Sequence, residues 1–216
     1  MIKNIIFDFD GVLVESVNVK TEAFKQLYMA FGDAIVTEVE AYHLANGGMS
    51  RFDKIRYYHT QLLKQPITDE QVGEWADKFS EIVLQRVIEA DEVVGAKQFL
   101  DEESTDFNCW IITGTPTNEI IHIVQEKKWE NYFRGIHGSP QNKKYWVEYL
   151  KSTFDLRTSE TVFVGDALAD YEAACLAGFH FILRKTEENK HLFNDFSGIS
   201  IENISFLKQA IASLNE

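Results

Sequence analysis

The stretch IIFDFDGVLVES, residues 5–16, sets two carboxylates, Asp8 and Asp10, in an otherwise apolar run. A buried carboxylate needs a cation or strong hydrogen bonds, so this pair implies a partner. Three further segments carry polar groups in the same sequence context, each just after an apolar run: Thr113 in ITGTP, Lys143 and Lys144 in GSPQNKK, and Asp166 and Asp170 in VGDALAD. Asp8, Asp10 and Asp166 offer hard oxygen ligands of the kind Mg²⁺ takes together with water and a phosphate oxygen. A divalent cation would also keep a carboxylate cluster ionised against mutual repulsion and burial. An ionised aspartate so placed is a nucleophile suited to phosphorus, forming an aspartyl-phosphate. Thr113 and Lys143 would hydrogen-bond and neutralise the phosphoryl oxygens. Gly11 permits a tight turn after the acids, where backbone N–H groups approach phosphate.

Chemistry at such a spread of positions requires elements that gather them. KNIIFDF reads as a strand, and the segments FNCWIIT, RGIHG, TVFVG and FHFILR read as further strands separated by the helical stretches NEIIHIVQEKKW, KKYWVEYLKSTF and DYEAACLAG. This alternation predicts βαβ units and a doubly wound parallel sheet, an α/β fold whose ligands bind beyond the carboxyl ends of the strands. All four polar segments fall at those ends. Residues 16–90 differ: their apolar periodicity is helical throughout, with a capping signal at Thr68 and a glycine-marked turn at Gly47 and Gly48. The expected organisation is a catalytic core of residues 1–15 and 91–216 with a second, smaller all-helical domain, residues 16–90, inserted after the first strand. In NGGMSRFDK, Arg51 follows the glycine turn and could clamp an anionic part of a ligand if that turn folds over the site.

Composition narrows the partners. The chain of 216 residues has 21 Lys plus Arg against 34 Asp plus Glu, a formal charge of −13. That excess argues against nucleic acid, whose binding depends on clustered positive charge. The N-terminus lacks the pattern of a cleaved signal, and no run of about 18 apolar residues occurs. A cytoplasmic protein without membrane contact is expected, monomeric or homodimeric. Cys109 and Cys175 are expected as buried free thiols, the six histidines as ordinary helix or surface residues, and the four tryptophans as core.

The four motifs, DFDGV, TGT, GSPQNK and GDALAD in this order, resemble those of the haloacid dehalogenase superfamily, and the helical insert resembles the C1-type cap of its phosphoglycolate-phosphatase-like and β-phosphoglucomutase-like members. The resemblance implies a phosphatase acting on a small phosphorylated metabolite with Mg²⁺ as cofactor. It implies that Asp8 is the nucleophile and touches the metal, that Asp10 is general acid and then base with its main-chain carbonyl on the metal, and that Thr113 and the Gly114 N–H bind the transferring phosphoryl group. Lys143 would be the lysine of the third motif and Asp166 the metal-binding acid of the fourth, supported by Asp170. Many relatives have proline after that lysine. Here Lys144 follows, which leaves two eligible lysines, with Lys143 preferred for its spacing from Pro140.

A phosphomutase would share every core residue and differ in a cap that lets a doubly phosphorylated intermediate reorient; Arg51, Lys54 and Arg56 leave that reading open. A dehalogenase needs neither metal nor a second aspartate, which Asp10 and Asp166 disfavour. A non-catalytic binding module would not need an intact site.

Overall fold

The computed structural model describes residues 1–215. Six strands form one sheet: β1 (Asn4–Phe7), β2 (Asn108–Pro116), β3 (Gly135–Ser139), β4 (Thr161–Gly165), β5 (His180–Arg184) and β6 (Ile199–Ile201). Their order is β3-β2-β1-β4-β5-β6, and every pairing is parallel. The expected doubly wound α/β fold is therefore present. Both faces of a parallel sheet are covered, which explains why its central strands read as continuous apolar runs.

The strand period of two divides these runs between two cores. Ile5, Phe7, Ile111 and Val164 point into one, covered by α5 (Ala96–Glu103), α6 (Thr117–Glu126) and α9 (Leu207–Ser213). Ile6, Trp110, Ile112 and Phe163 point into the other, against α7 (Lys143–Thr153) and α8 (Leu168–Ala177). Trp110 and Trp129 are fully buried, as expected of core aromatics. The two cysteines are free thiols, but only Cys109 is buried; Cys175 is exposed. On α8 the neighbours Ala173, Ala174 and Ala177 take the inward face and turn Cys175 outward.

Between β1 and β2, before α5, lie α1 (Val17–Tyr28), α2 (Asp33–Ala45), α3 (Arg51–Tyr57) and α4 (Asp69–Glu89). A capping box at Thr68 and Gln71 starts α4, and Ser50 caps α3 through the Asp53 N–H. Phe24, Val39, Tyr58, Phe79 and Val83 pack these helices together, and their core is continuous with that of the sheet. Two neighbouring segments connect insert and sheet. Val14 pairs antiparallel with Glu92, the Glu15 N–H donates to the Asp91 carbonyl at 2.9 Å, and the Val93 N–H to the Leu13 carbonyl at 3.0 Å. Arg184 reinforces this junction by donating to the Gly11 carbonyl at 2.8 Å and to both carboxylate oxygens of Glu15.

Candidate active site

The carboxyl ends of β1, β2 and β4 open onto one cavity, lined on its other side by the glycine turn between α2 and α3. Asp8 leaves the end of β1 almost fully buried, with its own N–H donating to the Val164 carbonyl at 3.0 Å. Lys143, the first residue of α7, reaches Asp8 at 2.8 Å and Asp170 at 2.5 Å. Asp170 is held in turn by the Ala167 N–H at 3.0 Å, so both its oxygens are engaged. The structure places the two lysines differently. Lys143 is buried in this cluster, whereas Lys144 is exposed and pairs with Glu172 on α8.

One oxygen each from Asp8, Asp166 and Asp170 lie within 4.8 Å of one another, a grouping able to hold a metal ion. Burial pushes the Asp8 carboxyl up to about 7 despite Lys143, with Asp170 and Asp10 adding to the rise. Burial together with Asp8 and Asp170 drives Asp166 well above the usual carboxylate range. A cluster that takes up protons when left alone is one a divalent cation would relieve, so these residues fit such an ion. Asp170 serves Lys143 and the Ala167 N–H, and Asp8 serves Lys143 and the Phe9 N–H at 2.7 Å; the Asp166 carboxylate accepts no hydrogen bond among the described residues. The main-chain carbonyl of Asp10 likewise accepts none.

Asp10 is the most heavily bonded acid here. It accepts from Ser16 at 2.6 Å, Lys20 at 2.5 Å, Thr115 at 3.1 Å and Thr113 at 3.3 Å. Burial raises its pKa, but Lys20, Ser16 and Thr115 overbalance burial and leave the carboxyl below its ordinary value. Asp10 therefore rests as a carboxylate, poised as a base. Lys20, Ser16 and Thr115 escape a motif search. Ser16 and Lys20 stand one helical turn apart at the start of α1, on the side toward Asp10, a spacing that could have flagged them once α1 was placed over the acids.

Two expectations are corrected. The Gly11 N–H does not face a phosphate pocket: it donates to the Val14 carbonyl at 2.8 Å. Gly11 is needed for another reason, since its φ is 74° and a Cβ there would lie 2.2 Å from an Asp166 carboxylate oxygen. Arg51 lines the cavity as expected, but its guanidinium is paired with Glu119 at the start of α6, at 2.5 and 2.8 Å, and with Ser80 of α4. An arginine already bound to a carboxylate is not an open anion clamp. What it does instead is tie α3 and α4 of the insert to α6 beside the sheet.

The glycine turn does close over the site. A Cβ on Gly48 would stand 3.0 Å from the Lys143 ammonium, and one on Gly114 would stand 2.7 Å from the Gly48 carbonyl. Only bare backbone fits between insert and strand end here. His43, expected as an ordinary helix residue, lines the same cavity and is buried beside Lys54.

A family model described as haloacid dehalogenase-like hydrolase matches residues 5–184. A phosphoglycolate phosphatase of Photorhabdus laumondii subsp. laumondii is 27% identical over 191 residues, covering 82% of this chain and 77% of that protein. Among solved structures, a β-phosphoglucomutase of Clostridium difficile superposes with a TM-score of 0.78 at 16% identity, covering 99% of this chain and 98% of that one. A hydrolase of family IA, variant 3 from Entamoeba histolytica gives 0.79 at 14% identity over the whole of both chains. At these identities the structural likeness speaks to the fold alone.

Proposed function

Since the chain belongs to the haloacid dehalogenase-like hydrolases, we propose that it is a Mg²⁺-dependent phosphatase that removes phosphate from a small phosphorylated metabolite, a sugar phosphate or a phospho-acid. The observation that carries this reading is the buried cluster at the strand ends: Asp8, Asp166 and Asp170 close enough together to share a cation, with Lys143 on Asp8 and Thr113 on Asp10 beside them.

In this reading residues 16–90 are a cap and residues 1–15 with 91–216 the catalytic core. Asp8, Asp166 and the Asp10 carbonyl would hold the cation, which when bound would supply positive charge to the phosphoryl oxygens. Asp8 attacks phosphorus, forming an aspartyl-phosphate as the ester oxygen departs. Lys143 and Thr113, with the Gly114 N–H, hold the transferring group. As substrate enters, the contact of Asp10 with Lys20 loosens and its carboxylate takes up a proton from solvent; in the first half it passes that proton to the leaving oxygen, and the carboxylate so restored then takes a proton from the water that opens the aspartyl-phosphate. The relative from Photorhabdus, named for phosphoglycolate, favours a phospho-acid among the candidates. No described helix is long and apolar enough to cross a membrane, in keeping with a cytoplasmic enzyme, monomeric or homodimeric, acting on a dissolved substrate.

Of the three cap cations that keep a phosphomutase in view, Arg51 is paired with Glu119 and Arg56 with Asp69. Only Lys54 lacks a carboxylate, which weighs toward hydrolysis. The test is release of inorganic phosphate from sugar, nucleotide and acid phosphates with Mg²⁺. Asp8→Asn is expected to abolish release with the fold retained, and Asp10→Asn to slow it by roughly 10²- to 10⁴-fold. Full, EDTA-insensitive turnover by Asp8→Asn overturns the reading, and accumulation of an isomeric sugar phosphate in place of free phosphate points to the mutase.

A further inference from the structure

The cations around the cavity are nearly all accounted for. Lys20 is held by Asp10, Arg51 by Glu119, Arg184 by Glu15, and Lys143 by Asp8 and Asp170. Lys54 is different. It projects from α3 of the insert into the cavity lining, is 3% exposed, and pairs with no carboxylate among the described residues. Its ammonium contacts His43 alone, Nδ1 at 2.9 Å and the carbonyl at 3.4 Å, and lies 5.9 Å from the centre of the Phe24 ring.

A buried ammonium held only by neutral groups is costly, and proteins rarely keep one without a counter-charge. Burial together with Lys20 lowers the Lys54 pKa to about 7, while Asp10 and Asp166 pull the other way. Burial and Lys54 also hold His43 well below its ordinary value, so the imidazole is neutral and can accept from the ammonium through Nδ1. The amine thus has a fixed position, a supporting acceptor, and one coordination direction left toward the cavity. An incoming anion would supply what the protein does not.

Resting on the phosphatase reading above, we propose that Lys54, positioned by His43, binds a second anionic group on the leaving portion of the substrate, so that the enzyme selects phosphate monoesters bearing a carboxylate or a second phosphate over those with a neutral alcohol. The transferring phosphoryl group is served from the strand ends and α7. Lys54 reaches the same cavity from α3 of the insert, within range of the charges of Asp10 and Asp166, and is available to the remainder of the ester. Recognition of that remainder by a buried charge discriminates strongly, because a neutral analogue leaves the charge unpaired.

The experiment compares kcat/KM with Mg²⁺ for three esters of similar size: phosphoglycolate, ethylene glycol bisphosphate and 2-hydroxyethyl phosphate. Wild type is expected to prefer at least one of the two anionic esters by tenfold or more, and which one identifies carboxylate or phosphate as the partner. Lys54→Met should bring the ratio of anionic to neutral ester near one, and Lys54→Arg should restore part of it. A wild-type preference below threefold overturns the proposal even if Lys54→Met does not fold, as does a ratio unchanged in a folded Lys54→Met. If wild type hydrolyses no ester, the phosphatase reading fails by itself. Calorimetry then decides the subsite, with 3-phosphonopropionate expected to bind wild type at least tenfold more tightly than propylphosphonate, and Lys54→Met without that difference. Equal affinities in wild type overturn the subsite.

Discussion

At the scale of single residues, the acids of this chain are divided by their neighbours more than by their type. Asp166 is left without a donor among the described residues, while Asp8, Asp10 and Asp170 each hold a lysine and at least one further donor. Lys54 is the mirror case, and its charge has a measurable cost. An amine whose folded pKa lies below its unfolded value binds fewer protons folded than unfolded between the two, so stability rises with pH across that window. Here the window runs from about 7 to the ordinary lysine value, above the range in which His43 titrates. Lys54→Met is therefore expected to be more stable than wild type in urea at pH 7 and below, without metal or ligand. The advantage should fade as pH rises toward 10.5; an advantage independent of pH would assign it to packing. The motif acids and Lys143 are legible in the chain because their types and spacing repeat a pattern. Glu119 is not, since it acts through a partner far along the sequence, Arg51; Lys20 acts on Asp10 only ten residues away, but belongs to no motif.

At the scale of elements, α3 is the piece on which the site depends. It presents Lys54 to the cavity and Arg51 to Glu119, and the turn preceding it lies against Lys143 and Gly114. The Arg51–Glu119 pair is about nine-tenths buried on both sides. Removing one member of such a pair leaves the other charge stranded, at a cost of about 3–5 kcal/mol, whereas replacing both with apolar groups is often neutral. Glu119→Gln is expected to lower stability by roughly that much and to speed amide exchange in α3. The double variant Arg51→Met with Glu119→Met should recover most of the loss, and a double variant as unstable as the single one would show that the pair itself, not the stranded charge, matters. The strands flanking the site are legible because burial on both faces writes them as apolar runs. β6, of three residues, and α9, of seven, are too short for periodicity to declare them, and α3 gives no sign of which way Arg51 turns.

At the scale of the whole molecule, a cluster of unmet carboxylates couples folding to metal. A cation that binds only the folded state at 100 times its dissociation constant adds about 2.7 kcal/mol. Mg²⁺ is expected to raise the urea midpoint of wild type accordingly. Because Asp8 and Asp166 must lose protons to bind metal, the gain should shrink as pH falls below about 7. Asp166→Asn should show no Mg²⁺ gain and be at least as stable as wild type in EDTA; a full gain in that variant would place the cation elsewhere. The fold class and the insertion of helices after β1 were legible from alternation alone. Closure of the insert over the strand ends was signalled by the glycine pair Gly47 and Gly48, but the partner that Gly48 meets, the backbone at Gly114, was not, because that contact carries no side-chain signal.

The paired junction at Val14 and Glu92 has one more consequence. The chain departs from the sheet and returns to it through residues facing each other across a single ladder, roughly 4.5–5.5 Å apart, a gap that a two-residue turn can bridge. The backbone of the sheet side thus closes on itself where the insert begins and ends. Residues 16–90 hang from one narrow neck, and what fixes their orientation is the contacts they send back, through Lys20, Gly48 and Arg51, to Asp10, Lys143 and Glu119.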